Sequence, residues 1–84
     1  MEKYYVYLIQ TEHDLLYCGI AKDYLVRFEE HCNQPKKRAK FFNSSPPKTL
    51  VFVYPCESRS MALQLEFEIK QLSKIQKLEI CGLI

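Results

Sequence analysis

Glycine is scarce in this chain, with only two among 84 residues, Gly19 and Gly82. A chain this sparing with glycine puts one inside Leu15–Lys22 (LLYCGIAK), a stretch that otherwise reads as a strand. Glycine weakens a strand, so its presence asks for a bulge, a bend or a close approach to the backbone. Other absences exclude whole classes. No run approaches the roughly 20 apolar residues that span a bilayer. The run Tyr4–Ile9 is too short and too rich in tyrosine for a signal-peptide core, so the expected compartment is the cytosol, with no membrane partner. The four cysteines, Cys18, Cys32, Cys56 and Cys81, form no C-x-x-C pair and no zinc-like spacing. Reduced, mostly buried thiols are expected rather than disulfides or zinc. Acidic residues are missing between Glu30 and Glu57, where Lys36, Lys37, Arg38, Lys40 and Lys48 all fall. That local excess suits either a phosphate-facing segment or a solvated loop, although the whole chain carries a formal charge of only +2.

What is present fits one small domain, residues 1–84, with a single core, no internal repeat and no linker. The apolar fraction of 48% is that of a globular chain. Tyr4–Ile9 and Leu15–Ile20, joined by the polar turn Thr11–Asp14, read as a hairpin. Folded symmetrically about Glu12, it would set Tyr7 opposite Tyr17 on one face of the sheet. Asp23 suits the N-cap of a helix to about Asn33, with Leu25, Phe28 and Cys32 as its apolar stripe and Glu29 and Glu30 facing elsewhere. Arg27 and His31 lie one turn apart on its flank. Gln34–Pro47 is a basic irregular segment with room for a short helical turn around Arg38–Phe42. Thr49–Tyr54, apolar almost throughout, reads as a central strand. Ser58 or Ser60 would cap a second helix to Leu72 or Ser73, with Met61, Ala62, Leu65, Ile69 and Leu72 as its stripe and Glu66 at the edge. A short C-terminal helix could follow, with Gly82 at its C-cap. The fold class is therefore α/β or α+β, order β-β-α-β-α: a small, mainly antiparallel three-stranded sheet flanked by helices.

Five polar residues sit oddly in this scheme: Tyr7, Tyr17, Arg27, His31 and Glu66. Singly, each has an ordinary structural reading: amphipathic packing for the tyrosines, a solvated flank for Arg27 and His31, a helix edge for Glu66. Together, Tyr5-Val6-Tyr7 followed by Tyr17-Cys18-Gly19 resembles the two half-signatures of the GIY-YIG nuclease superfamily. Arg27 and His31 then match the family's helical arginine and the histidine one turn later. Glu66, four residues after Ala62, matches its metal-binding glutamate. The texture of RFEEH, AKFF and SRSMALQLEFEIKQLS is similar to the small stand-alone bacterial branch, and the resemblance covers Tyr4–Lys77. Tyr5 stands for the signature's first glycine and Cys18 for its middle isoleucine. Ile20 occupies a position where many members carry lysine, and the C-terminal asparagine of the excision-repair enzymes has no counterpart.

The resemblance implies hydrolysis of nucleic-acid phosphodiester bonds, DNA ahead of RNA, in DNA repair or processing. Glu66 would hold one Mg²⁺ or Mn²⁺. Arg27 would contact phosphate, and Tyr17 or Tyr7 would orient or deprotonate the attacking water. His31 would shuttle a proton or touch phosphate. Phenol ionisation would need nearby positive charge, from Arg27, the metal or Lys22. Lys22 and the basic segment Lys36, Lys37, Arg38 and Lys40 would follow the backbone, with Phe41 and Phe42 placed to stack a base. Gly19 would leave the floor of the site open to phosphate or to the next helix. A non-catalytic nucleic-acid-binding module of the same fold is the competing reading, and a homodimer or another protein partner stays open.

Overall fold

The computed structural model describes residues 3–84. Its order is β1 (Tyr4–Thr11), β2 (Leu16–Ala21), α1 (Tyr24–Asn33), α2 (Phe41–Ser44), β3 (Pro47–Cys56), α3 (Arg59–Lys70) and α4 (Lys74–Ile80). The three strands form one antiparallel sheet in the order β2-β1-β3. The α+β class and the β-β-α-β-α sequence of main elements are as expected, with the short α2 inside the basic segment and α4 at the end. The expectation of a central third strand is overturned: β1 is central and β3 is an edge. Pro47 and Pro55 lie within β3, and a proline that lacks an N–H is accommodated at an edge rather than between two ladders. β1 takes the centre because Val6, Tyr7, Leu8 and Ile9 are all buried, covered from both faces.

Alternation along β1 divides the core. Val6 and Leu8, with Cys18, Cys56, Ala62 and Ile69, form one cluster under α3. Tyr7 and Ile9 point the other way, where Phe42, Tyr17, Tyr24 and Phe28 pack. The hairpin is centred one residue later than expected: Tyr7 faces Gly19, and Tyr17 faces Ile9. This two-residue change of partner keeps Tyr7 and Tyr17 on the same face, since side-chain direction repeats every second residue. Asp14, at φ 61°, takes the left-handed turn position that shifts the centre.

The helices are cut by the caps the sequence offers. Asp23 accepts the Val26 N–H at 3.1 Å, and Ser58 accepts that of Met61 at 3.2 Å. Ser73 and Gln76 form a capping box at the start of α4, and Gly82, at φ 71°, follows the end of that helix. Helix α3 stops at Lys70, two or three residues before the expected end. Two expected stripe residues are corrected. Leu25 is 62% exposed and Met61 55% exposed. In α1 the inward face is Tyr24, Phe28 and His31, at helical spacing, so a histidine occupies the core row that a hydrophobicity count gives to Leu25 and Cys32. Glu30 also departs from expectation, because it shares the flank of Arg27 and pairs with it at 2.8 Å.

Gly19 has a steric cause. A Cβ built there would lie 2.5 Å from the Tyr7 hydroxyl oxygen and 2.7 Å from Cζ of the same ring. The close approach anticipated at Gly19 is real, but the Tyr7 ring makes it, so the surface over Gly19 is filled rather than open. Gly19→Ala should therefore destabilise the protein by about 1–3 kcal/mol in urea unfolding. The cost should largely vanish in a Tyr7→Ala background, a coupling that a double-mutant cycle reads directly.

Candidate active site

The Tyr7 phenol is buried, 1% exposed, and its oxygen lies 3.0 Å from His31 Nε2. His31 is fully buried, and its Nδ1 accepts the Ala39 backbone N–H at 3.2 Å. That backbone donor assigns the tautomer: Nδ1 is bare, so Nε2 carries the proton and donates it to Tyr7. The Tyr7 oxygen is thus an acceptor here, and its own proton is left to point elsewhere. Burial, reinforced by the charge of Arg27 and opposed by Glu30, lowers the His31 pKa to about 4, so the ring is neutral at pH 7. A neutral, fully buried imidazole is placed to orient Tyr7, and direct contact with phosphate is closed to it in this conformation.

Tyr17 lies at the rim of the same aromatic cluster. It is half-buried, with ring centroids 6.4 Å from Tyr7, 5.5 Å from His31 and 4.7 Å from Phe42. Burial raises the pKa of both phenols, and Arg27 opposes this at each. Only Tyr17 also feels Lys70, which lowers its pKa, and Glu66, which raises it. The charge of Glu66 is felt as well by the Cys18 thiol, next in sequence and on the other face of the sheet. The Glu66 carboxylate is carried by α3, whose side chains pack on the Cys18 face of the sheet. Tyr7, Tyr17 and His31 thus lie on one face of the sheet with α1, which carries Arg27, whereas Glu66 and Lys70 are carried by α3, which covers the other face.

Arg27 Nη1 donates to Glu30 Oε1 and to the Lys37 carbonyl, each at 2.8 Å. These bonds aim the guanidinium and tie the basic segment to α1. The Arg27 side chain is 30% exposed, partly open to a ligand. Glu66 is 19% exposed in its side chain, and its Oε2 lies 3.4 Å from Lys70 Nζ.

The basic segment divides. Lys36, Lys37 and Lys40 are exposed, whereas Arg38 is half-buried, with Nη1 3.4 Å from the Phe42 carbonyl and a buried Nε without a hydrogen-bond partner. Phe41 is 38% exposed, with its ring 5.5 Å from Tyr17. Phe42 is corrected from base stacker to core: it is fully buried beneath Tyr17 and His31. Lys22 lies 5.6 Å over the ring of Tyr4, which packs on the other face of the sheet from the phenols. Sequence reasoning missed Lys70, whose i, i+4 spacing from Glu66 was the available signal. It also missed the Ala39 amide, which leaves no mark in the sequence.

Residues 3–79 match the model of the GIY-YIG catalytic domain, a nuclease domain, and the chain belongs to that family. Within it, the similarity runs to small bacterial proteins called UPF0213. A UPF0213 protein of Pseudomonas aeruginosa strain UCBPP-PA14 is 50% identical over 72 residues, covering 86% of this chain and 67% of the relative. The UPF0213 protein YhbQ of Escherichia coli strain K12 is 42% identical over 77 residues, covering 92% and 75%. The solution NMR structure of a UPF0213 protein from Bacillus halodurans superposes with a TM-score of 0.60 at 28% identity, covering 96% of this chain and 84% of that one. The resemblance first read from Tyr7, Tyr17, Arg27, His31 and Glu66 is thus a family membership.

Neutral, buried His31 has a consequence for stability. Its folded pKa, about 4, lies below the unfolded value of about 6.5. Between those values the unfolded chain binds the extra proton, so stability is full above about pH 6.5 and declines as pH falls to about 4. The expected loss across this window is up to about 3 kcal/mol. Thermal melts of the parent and of His31→Gln at pH 4 to 7 should show a steep slope in the parent and a shallower one in the variant.

Proposed function

We propose that this protein is a divalent-metal-dependent endonuclease that hydrolyses nucleic-acid phosphodiester bonds, DNA ahead of RNA, in cytoplasmic DNA repair or processing. The observation that carries the reading is the setting of Tyr17. Its ring stands at the rim of the aromatic cluster, 5.5 Å from His31 and 5.5 Å from the half-exposed Phe41, and the charges of Arg27, Lys70 and Glu66 act on it.

Among the described residues, no group of three or more His, Cys, Asp or Glu side chains gathers that could hold a metal. A full protein cage is therefore not on offer. The donor set is one mostly buried carboxylate, Glu66, already beside a cation, Lys70. That fits a hard ion such as Mg²⁺ or Mn²⁺, which keeps several waters and shares its shell with phosphate oxygens. Bound there, the ion would polarise the scissile phosphate and stabilise charge on the leaving oxygen.

The chain's own groups supply the rest. Exposed Lys36, Lys37 and Lys40 attract the phosphate backbone, and Phe41 offers a ring to a base beside Tyr17. Arg27 donates to the phosphate oxygens as negative charge grows during attack. Once ionised to the phenolate, Tyr17 accepts a hydrogen bond from the attacking water and takes its proton as the new P–O bond forms and the bond to the sugar oxygen breaks, that oxygen leaving to be protonated by solvent. Its phenol is raised by burial, so it becomes a base only when cationic partners offset that burial. His31 holds Tyr7 in place through Nε2–H, and Tyr7 in turn floors the site against Gly19.

The raised phenols and Ile20 favour a second reading, a module that binds nucleic acid without cutting it. One experiment separates the two. Labelled single-stranded, duplex and branched DNA is incubated with the protein in Mg²⁺ or Mn²⁺, beside Arg27→Ala and Glu66→Ala. A nuclease shows cleavage that falls at least about 100-fold in both variants. Equal traces in all three samples would defeat the enzyme reading. Salt-sensitive binding with no cleavage would establish the module.

A further inference from the structure

Two consecutive acidic residues follow Arg27 on α1, and they are used differently. Glu29 turns to the end of its own helix, where its carboxylate accepts the side-chain amide of Asn33 at 3.4 Å and that of Gln34 at 3.1 Å. Glu30 turns to Arg27 and accepts Nη1–H at 2.8 Å. The same Nη1 also donates to the Lys37 carbonyl at 2.8 Å, so the contact joins α1 to the basic segment. Neither partner is loose in solvent: the Arg27 side chain is 30% exposed and that of Glu30 21%. Both bonds are made by one nitrogen of the fork, and the N–H groups on Nε and Nη2 are not used by them.

We propose that Glu30 is a positioning residue for Arg27: its carboxylate, together with the Lys37 carbonyl, holds Nη1 so that the guanidinium offers its other N–H groups to a substrate phosphate. This rests on Arg27 being the phosphate contact of the proposed reaction. The hydrogens of an Nη group lie in the plane of the guanidinium, so acceptors from two separate segments fix that plane and not merely one direction. Orientation matters for this residue type, because a planar fork grips phosphate through parallel N–H bonds, whereas an ammonium acts as a point charge. The contact also has an effect of the opposite sign. A carboxylate at 2.8 Å offsets part of the positive charge that draws phosphate in. Glu30 thereby weakens the attraction for bound substrate and favours the aligned guanidinium during attack. That opposition separates it from a residue that merely supports α1. Glu29 has the same charge on the same helix but gives its carboxylate to Asn33 and Gln34, so it distinguishes contact from charge.

Two measurements on the parent, Glu30→Ala, Glu30→Gln, Glu29→Ala and Arg27→Ala test the assignment, with a thermal melt of each. One is binding of fluorescein-labelled DNA without metal, and the other is single-turnover cleavage of the same DNA in saturating Mn²⁺. E30A should bind about two- to fivefold tighter than the parent at low salt, a gain that shrinks as salt is added. Its cleavage should be at least about tenfold slower, since a misaligned guanidinium loses its grip during attack. E30Q keeps an acceptor oxygen without the charge, so it should bind as tightly as E30A and recover most of the rate. E29A should cleave within about twofold of the parent. E30A cleaving at the parent's rate would overturn the positioning role. Equal slowing in E30A and E29A would reduce it to charge, and weaker binding with a lowered melting temperature in both Glu30 variants would reduce it to support of the helix. A parent that does not cleave, or R27A cleaving as fast as the parent, would instead remove Arg27 as the phosphate contact. That failure of the underlying reading is one that the comparison of E30A with E29A does not imitate.

Discussion

The Tyr7 phenol lying across the backbone of Gly19 is the contact on which the rest of the site depends. A Cβ at residue 19 would stand 2.5 Å from the hydroxyl oxygen, so only glycine lets the ring reach that position. From there the oxygen meets His31 Nε2, and the far side of the imidazole is pinned by the Ala39 amide. A chain of contacts thus runs from β2, through β1 and α1, into the basic segment. It fixes a tautomer without any charged partner for the ring, because a backbone N–H can only donate. An imidazole buried without such partners would leave polar atoms unsatisfied at a cost of about 1–3 kcal/mol. Here both nitrogens are satisfied, and the residue that looks like an acid-base group serves as a fixed strut.

The second organising fact is that the site sits on an edge. The sheet has a tyrosine face, covered by α1 and α2, and an aliphatic face, covered by α3. Tyr17 and Cys18 are neighbours on β2 that point to opposite faces, and both feel Glu66. Chemistry from the two layers can meet only around the rim of β2. The division of labour between the phenols follows. Tyr7 is interior, held by His31. Tyr17 is at the rim, where the charges of Arg27 on α1 and of Glu66 and Lys70 on α3 act on it. Phe42 supports Tyr17 from beneath, while Phe41 is left partly exposed at the surface.

Much of this was legible in the residues, and the exceptions have physical causes. The caps at Asp23 and Ser58, the glycine after α4 and the order of the strands and main helices are local signals, and they are where the sequence puts them. The place of β3 in the sheet, an edge rather than the expected centre, was hidden because Thr49–Tyr54 is apolar on both faces. The flanking Pro47 and Pro55 carry the opposing signal, since prolines suit an edge. The hairpin centre depends on the left-handed backbone at Asp14, which an aspartate permits but does not announce. His31 and Phe42 exchanged expected roles with Leu25 and with the stacking platform because solvent exposure is set by packing across elements, not by residue type. Gly19 was recognisable as a close-approach position. That the approaching group is the Tyr7 ring becomes visible only once the register is known.

Comparing Tyr17→Phe with Tyr7→Phe tests the central claim most directly, since each deletes one hydroxyl and leaves a ring of nearly the same volume. Single-turnover cleavage of labelled DNA in Mn²⁺, with thermal melting of each variant, separates reaction from scaffold. The account predicts that Tyr17→Phe melts like the parent and cleaves at least about 100-fold more slowly. Tyr7→Phe, which leaves the buried Nε2–H of His31 without its acceptor, should lose about 1–3 kcal/mol of stability and retain more of the rate. Cleavage that survives in Tyr17→Phe and disappears in a fully stable Tyr7→Phe would contradict it.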